Sequence, residues 1–294
     1  MLAVRNNIAK VLSRTLAAVF DEFVYGGHLL SIGASAIVLT VLILIDKPVS
    51  LPLMLIAYLV TQIVYMADHR KDLDDGAIDN RERSKHLRKI EKIYTQLIIG
   101  YIALLTILLV FFSNINTVIF VSFLSLLGFF YPKNITKNIV GFKNFYVASL
   151  WAISSVVLPY VYYSVNIDTL FYYVFSFVLL RWLINTTFFD LKDINGDRKE
   201  GLKTFPATIG ARNTLLLLSV YNIISGIILI YALQNKAIAF SACLLLFLMF
   251  YSFYYIIFAL KAKPEAIRKI SYIMVDGEYV LWPGLLFIGS LVFK

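Results

Sequence analysis

Residues 168–200 read DTLFYYVFSFVLLRWLINTTFFDLKDINGDRKE, and this stretch decides the fold class. From Thr169 to Phe189 the only charge is Arg181, after which acidic and basic residues crowd together from Asp190 to Glu200. An apolar helix of about 20 residues spans the ~30 Å hydrocarbon core of a bilayer. A helix of that length on a soluble protein would show charge along its solvated face. The same pattern governs the whole chain. Its 294 residues are 60% hydrophobic and 15% charged, where soluble domains run near half and a quarter.

Working outward from that stretch, nine spans are expected, at roughly 27–46, 48–68, 94–112, 115–131, 143–163, 168–189, 214–233, 237–260 and 278–293. The fold class is therefore all-α: a polytopic membrane protein of about nine transmembrane helices around a central cavity with a cytoplasmic cap. Residues 1–294 form one membrane domain. It comprises an N-terminal interfacial segment (1–26), a first four-helix half (27–131), a second four-helix half (143–260) and a ninth helix (278–293). Residues 1–23 lack the form of a signal peptide, because Arg5, Lys10, Arg14, Asp21 and Glu22 interrupt them. Val4, Ile8, Val11, Leu12, Leu16 and Phe20 recur at helical spacing, as in a helix lying on a membrane surface. The lone Cys243 excludes an internal disulfide.

All but four of the 27 Lys and Arg fall in the N-terminus and the loops after the second, fourth, sixth and eighth spans. The exceptions are Lys47, Lys236, Lys294 and the intramembrane Arg181. Such a bias places the N-terminus and the long loops in the cytoplasm and the C-terminus on the opposite side. It also accounts for the net charge of +9 by attraction to anionic lipid, so no nucleic-acid partner is expected.

Seven of the 18 acids lie in two clusters, each where an apolar run meets that side. The first is Tyr65-Met66-Ala67-Asp68-His69-Arg70-Lys71-Asp72-Leu73-Asp74-Asp75; the second is Asp190-Leu191-Lys192-Asp193-Ile194-Asn195-Gly196-Asp197-Arg198. Side chains three, four or seven residues apart share a helical face. Asp68 with Asp72, and Asp190 with Asp193 and Asp197, would thus converge if their helices run on past the membrane edge. Crowded carboxylates repel unless a cation lies among them. Magnesium suits such a place, since it is commonly held by one or two carboxylates together with substrate phosphate and water.

The run Asp190-x-x-Asp193-x-x-x-Asp197, followed by Gly201, Lys203-Thr204-x-Pro206 and Gly210, resembles the second aspartate motif of the UbiA superfamily of membrane prenyltransferases. Asp68 and Asp72 match the acids of that family's first motif, although Val64 stands at its Asn position and Glu82 follows Asn80-Arg81 where Pro is usual. The resemblance implies magnesium-dependent transfer of a prenyl group from a polyprenyl diphosphate to an acceptor, an aromatic ring or a hydroxyl. It implies Asp68, Asp72, Asp190, Asp193 and Asp197 as catalytic magnesium ligands. Arg70, Lys133, Lys137, Arg198 and Lys203 are expected to hold the diphosphate. Tyr65, Tyr131, Arg181 and Asn185 are expected to line the substrate cavity. The competing reading is a transporter-like or non-catalytic protein that binds an isoprenoid or lipid.

Overall fold

The computed structural model describes residues 15–70, 81–129 and 133–293. Among these, every ordered element is helical. The helices are α1 (Thr15–Tyr25), α2 (His28–Leu44), α3 (Leu51–His69), α4 (Arg81–Phe112), α5 (Ile115–Phe129), α6 (Lys133–Asn138), α7 (Phe142–Tyr162), α8 (Thr169–Asp190), α9 (Ile194–Glu200), α10 (Phe205–Gln234), α11 (Phe240–Ala259) and α12 (Pro264–Val292).

Each of the nine expected spans falls on a helix. Seven are long and apolar enough to cross a membrane unaided, and the bent pair α1–α2 makes an eighth. The remaining one, α5, covers only 15 residues, or ~22 Å at 1.5 Å per residue.

Boundaries differ where charge was read as loop. The cationic stretch from Arg81 to Lys92 continues α4 rather than preceding it. Its face is buried: Leu87 and Tyr94 pack on Met66, and the Tyr94 hydroxyl donates to the Met66 carbonyl at 2.8 Å. His86, expected in a loop, is buried there too. The ninth helix likewise begins at Pro264, well before residue 278.

Neighbouring helices pack in sequence, and α12 packs back on α2, which closes a ring. One core joins α2, α7, α8, α10, α11 and α12 around Trp182, Tyr279 and Trp282. A second joins α2–α5 and the end of α7. Outward-facing Phe111 and Phe250 are 73% and 71% exposed, a surface compatible with lipid rather than water.

The two ends of the ring differ. At one, short connections are closed by caps: Ser50 accepts from Leu53 N–H at 3.3 Å, Asn114 from Thr117 N–H at 2.8 Å, and Asp168 from Phe171 N–H at 3.0 Å. The other end carries Asp68, the second aspartate cluster, α6 and α9. There α1 meets α2 at 57°. The turn is made by Gly27, at φ 85°, where any Cβ would lie 2.4 Å from the Tyr65 ring.

Candidate active site

The second cluster is built by a break, not by a continuous helix. Helix α8 ends at Asp190, a turn follows, and α9 begins at Ile194. Asp193 N–H donates to the Asp190 carbonyl at 3.1 Å and Asp197 N–H to the Asp193 carbonyl at 2.9 Å. The three acids therefore do not share one face, as their spacing suggested. Asp190 and Asp197 turn inward, at 4% and 5% exposed. Asp193 turns toward Lys192, whose ammonium lies 2.7 Å from its Oδ2.

Lys143, at the start of α7, joins the inward pair. Its Nζ is 2.9 Å from Asp190 Oδ1 and 3.3 Å from Asp197 Oδ1. Asn144 Nδ2 donates to Asp190 Oδ2 at 2.6 Å, and Thr204 Oγ1 to Asp197 Oδ2 at 2.8 Å. The rest of the motif has backbone work. Gly201 ends α9 at φ 72°. Lys203 O accepts from Gly141 N–H at 2.8 Å, tying the α6–α7 turn to this loop. Pro206 sits in the first turn of α10, and Gly210 breaks that helix at φ 81°, ψ 161°.

Charge is unevenly balanced here. Burial, reinforced by the Asp190 carboxylate, outweighs Lys143 and pushes Asp197 up to about 6. Burial also acts on Asp193, but the Lys192 ammonium, with Lys143 and Arg83 behind it, holds that carboxyl below its usual value. Burial pulls Lys192 down despite Asp193. The Lys192 ammonium also lies over the rings of Phe189 and Tyr272, at 5.4 and 5.6 Å.

The first cluster begins at the end of α3. Asp72 lies outside the described residues, as do Asp74 and Asp75. The Asp68 side chain is 68% exposed, with His69 Nδ1 at 3.9 Å. Arg83 bonds His69 Nε2 at 3.2 Å and reaches Asp193 and Lys192 electrostatically. Tyr65 is buried, its hydroxyl donating to the Tyr25 carbonyl at 3.2 Å, and it lies within electrostatic range of Asp276 and Arg83.

The other expected residues divide. Arg70 and Lys137 are exposed at the same end. Arg198 Nε donates to the Ala207 carbonyl at 3.1 Å and Lys203 Nζ to the Asn138 carbonyl at 3.3 Å. Tyr131 and the Lys133 side chain lie outside the described residues. Arg181 is wholly engaged deep in the bundle. Its guanidinium pairs with Glu278, donating from Nε to Oε1 at 2.8 Å, and donates to Asn222 Oδ1 at 2.6 Å and to Ser252. Asn185, one turn closer to the cluster, donates to Asp276 Oδ1 at 3.0 Å.

Sequence reasoning missed Lys143 and Asn144 as site residues. Nothing in the sequence marks them; Gly141, two residues before Lys143 and at φ 70°, sets the start of α7 against the second cluster.

The donor set suits a hard divalent cation. Asp190, Asp193 and Asp197 supply carboxylate oxygens, and Asn144 Oδ1 is buried without a hydrogen-bond partner among the described residues. Lys143 already marks the point between Asp190 and Asp197 as one that attracts positive charge. Among the described residues, no three His, Cys, Asp or Glu side chains enclose a metal by themselves. Magnesium would therefore draw its remaining ligands from water and substrate.

A ring of apolar helices capped at one end by buried carboxylates defines a class: multi-pass membrane proteins with a polar site at the membrane surface. The family model for the UbiA prenyltransferase family matches residues 53–274, and the chain belongs to that family. No curated protein sequence matches it. Three solved structures share the fold at low identity. The apo UbiA homologue of Aeropyrum pernix K1 superposes with a TM-score of 0.67 at 13% identity, over 90% of this chain and 97% of that one. The UbiA homologue of Archaeoglobus fulgidus, bound to DMAPP and Mg2+, gives 0.62 at 15% identity, over 92% and 99%. A structure described as digeranylgeranylglyceryl phosphate synthase gives 0.58 at 16%, over 94% and 99%.

Proposed function

We propose that the protein transfers a prenyl group from a prenyl diphosphate to an acceptor at the membrane surface, and that it requires magnesium. Asp190, Asp193 and Asp197 are the metal-binding residues on one side, Asp68 and Asp72 on the other. The observation that carries this reading is the convergence of Asp190 and Asp197, both at least 95% buried, on a single cation. Burying two carboxylates together is costly unless positive charge compensates them. The magnesium-bound homologue of Archaeoglobus fulgidus supports the choice of ion.

Magnesium bound there would supply Lewis-acid neutralisation of the diphosphate as the allylic C–O bond breaks. The chain's own residues do the rest. Lys143 and Asn144 hold Asp190 in place, and Thr204 holds Asp197. Arg70, Lys137, Arg198 and Lys203, on the rim, draw in the diphosphate. Tyr272, Phe189 and Tyr65 offer aromatic faces near the reacting carbon, each able to stabilise a cation by ~0.5–2 kcal/mol. The buried cap keeps water from that carbon. The prenyl tail lies among the helices, where each methylene favours an apolar setting by ~0.8 kcal/mol. The charge bias of the loops supports a cytoplasmic location for this end.

The test is diphosphate release from a labelled prenyl diphosphate by protein purified in detergent, with an acceptor panel. Release that needs magnesium and drops at least 100-fold in Asp190→Asn supports the reading. Release indifferent to both chelation and that substitution overturns it.

A further inference from the structure

Two exposed stripes of opposite character lie side by side on α1 and α4. Helix α1 turns Leu16, Val19, Phe20 and Phe23 outward, the first two at 61% exposed. Their spacing of three, four and seven residues puts them on one helical face. The rest of α1 is tied down. Asp21 Oδ2 lies 3.7 Å from Lys89 Nζ, Glu22 Oε2 lies 3.0 Å from His86 Nε2, and Val24 is buried. The second stripe is on α4, where Lys85, Arg88, Lys89 and Lys92 are exposed at the same spacing. Among the described residues, only Lys89 of these four is ion-paired, to Asp21. The inward side of those turns holds the buried Arg83, His86, Leu87 and Tyr94, so the four cations face away from the bundle.

The cationic stripe is in register with the lipid-facing side of its own helix. The same face of α4 runs on through Gln96, Ile99, Ala103 and Val110, all exposed. Its 32 residues make α4 ~48 Å long, against ~30 Å of hydrocarbon. The first turns therefore stand at headgroup level, in line with the chains that cover Ile99 and Val110. Lys92 and Arg88 lie only ~10 and ~16 Å along the helix from Ile99. A phospholipid with its tails on Ile99 and Val110 thus brings its phosphate within reach of both, since long cationic side chains bend toward the interface. The apolar stripe of α1 suits the boundary beneath the headgroups, where an amphipathic helix buries its apolar face by ~5–10 Å. A zwitterionic lipid carries its own ammonium at that level, which the stripe repels. An anionic lipid does not.

We infer that the outward faces of α1 and of the first turns of α4 form one binding site for an anionic phospholipid, and that this lipid clamps α1 in place. The occupant is a membrane lipid, because a soluble anion would leave Leu16, Val19, Phe20 and Phe23 uncovered. The clamp acts on the far end of α1. The Tyr25 ring meets the Tyr272 ring edge-on at 5.3 Å, and the Tyr25 carbonyl accepts from the Tyr65 hydroxyl at 3.2 Å. Tyr272 in turn lies beneath the Lys192 ammonium. Lipid bound on α1 and α4 thus steadies two aromatic residues beside the second aspartate cluster. That consequence rests on the prenyl-transfer reading; the lipid site does not.

The experiment incubates the full chain in detergent with equal amounts of phosphatidylglycerol and phosphatidylcholine of identical chains. Lipid that co-elutes in gel filtration is extracted and quantified by mass spectrometry. The wild type should retain phosphatidylglycerol over phosphatidylcholine by about fivefold or more, and about 0.5 M salt should erase most of that preference. Lys85→Gln, Arg88→Gln and Lys92→Gln together should bring it to within about twofold of parity. The same loss of charge at the exposed Lys261, Lys263 and Lys269, between α11 and α12, should leave it near the wild-type value, which separates a site from the general attraction of a basic protein. A spin label at Val19→Cys, in a Cys243→Ser background, should be reached by oxygen more than by a water-soluble nickel complex in vesicles containing phosphatidylglycerol, and the order should reverse in phosphatidylcholine alone. Equal retention of the two lipids by the wild type, or equal loss of preference in the two triple variants, would overturn the site. A Val19 label indifferent to phosphatidylglycerol would overturn the clamp. None of these readouts needs turnover, so a chain that releases no diphosphate would sink the prenyl-transfer reading and leave this one standing.

Discussion

At the scale of single residues, Asp197 gives the sharpest expectation. Burial and the Asp190 carboxylate raise its carboxyl from the ordinary 3.8 to about 6. The unfolded chain therefore gives up this proton at lower pH than the folded one. Its contribution to stability is full below about pH 4 and is lost as pH climbs through about 6. Metal-free protein should consequently melt higher near pH 5 than near pH 7.5, as thermal unfolding in detergent can check. Divalent affinity should run the other way, because a protonated carboxyl cannot ligate. A manganese titration followed by electron paramagnetic resonance should show binding that tightens from pH 5 to 7; a flat profile would remove Asp197 from the ligand set. The acids themselves were legible, since three of them recur within eight positions at a helix end. Lys143 and Asn144 were not. They lie 47 and 46 positions from Asp190, and a lysine next to a loop is indistinguishable in sequence from an ordinary surface charge.

Among the elements, the breaks matter more than the helices. The apolar runs announced themselves through the absence of charge, and all nine landed on helices. Where α9 stops, where α10 bends and how α1 meets α2 depend on glycines whose conformation the sequence leaves open. Gly210 is the informative case. A Cβ added there would meet nothing within 4 Å, yet φ 81° and ψ 161° form a region essentially closed to other residues. Gly210→Ala should cost ~1–3 kcal/mol through backbone strain alone, read as a lower melting temperature with no lost contact. At Gly27 strain and collision combine, because the Cβ would enter the Tyr65 ring. Gly27→Ala should therefore destabilise more than Gly210→Ala and also perturb Tyr65, visible as weaker prenyl diphosphate binding. The reverse order of the two would mean that the α1–α2 bend is not fixed by this contact. Helix α4 shows the complementary failure of reading. Its first three turns are rich in Lys and Arg, which masks the buried stripe of Arg83, His86, Leu87 and Tyr94.

For the molecule as a whole, Arg181 and Glu278 are the joint that holds the second half together. Arg181 stood out in the sequence as a charge in mid-membrane. Its partner did not, because Glu278 is 97 positions away and near the start of what seemed to be a separate helix. The pair draws in Asn222 of α10 and Ser252 of α11, so four helices meet at one guanidinium. With side chains 0% and 3% exposed, neither charge has water to fall back on. Arg181→Met leaves a bare buried carboxylate and should cost ~3–5 kcal/mol. Glu278→Gln leaves a bare guanidinium and should cost a similar amount. In the double variant no uncompensated charge remains, so its loss should be well below the sum of the two. Unfolding of all four proteins in detergent gives the coupling directly. Strict additivity would mean that the two charges do not stabilise one another, and that the helices are held by the surrounding aromatic core of Trp182, Tyr279 and Trp282 instead.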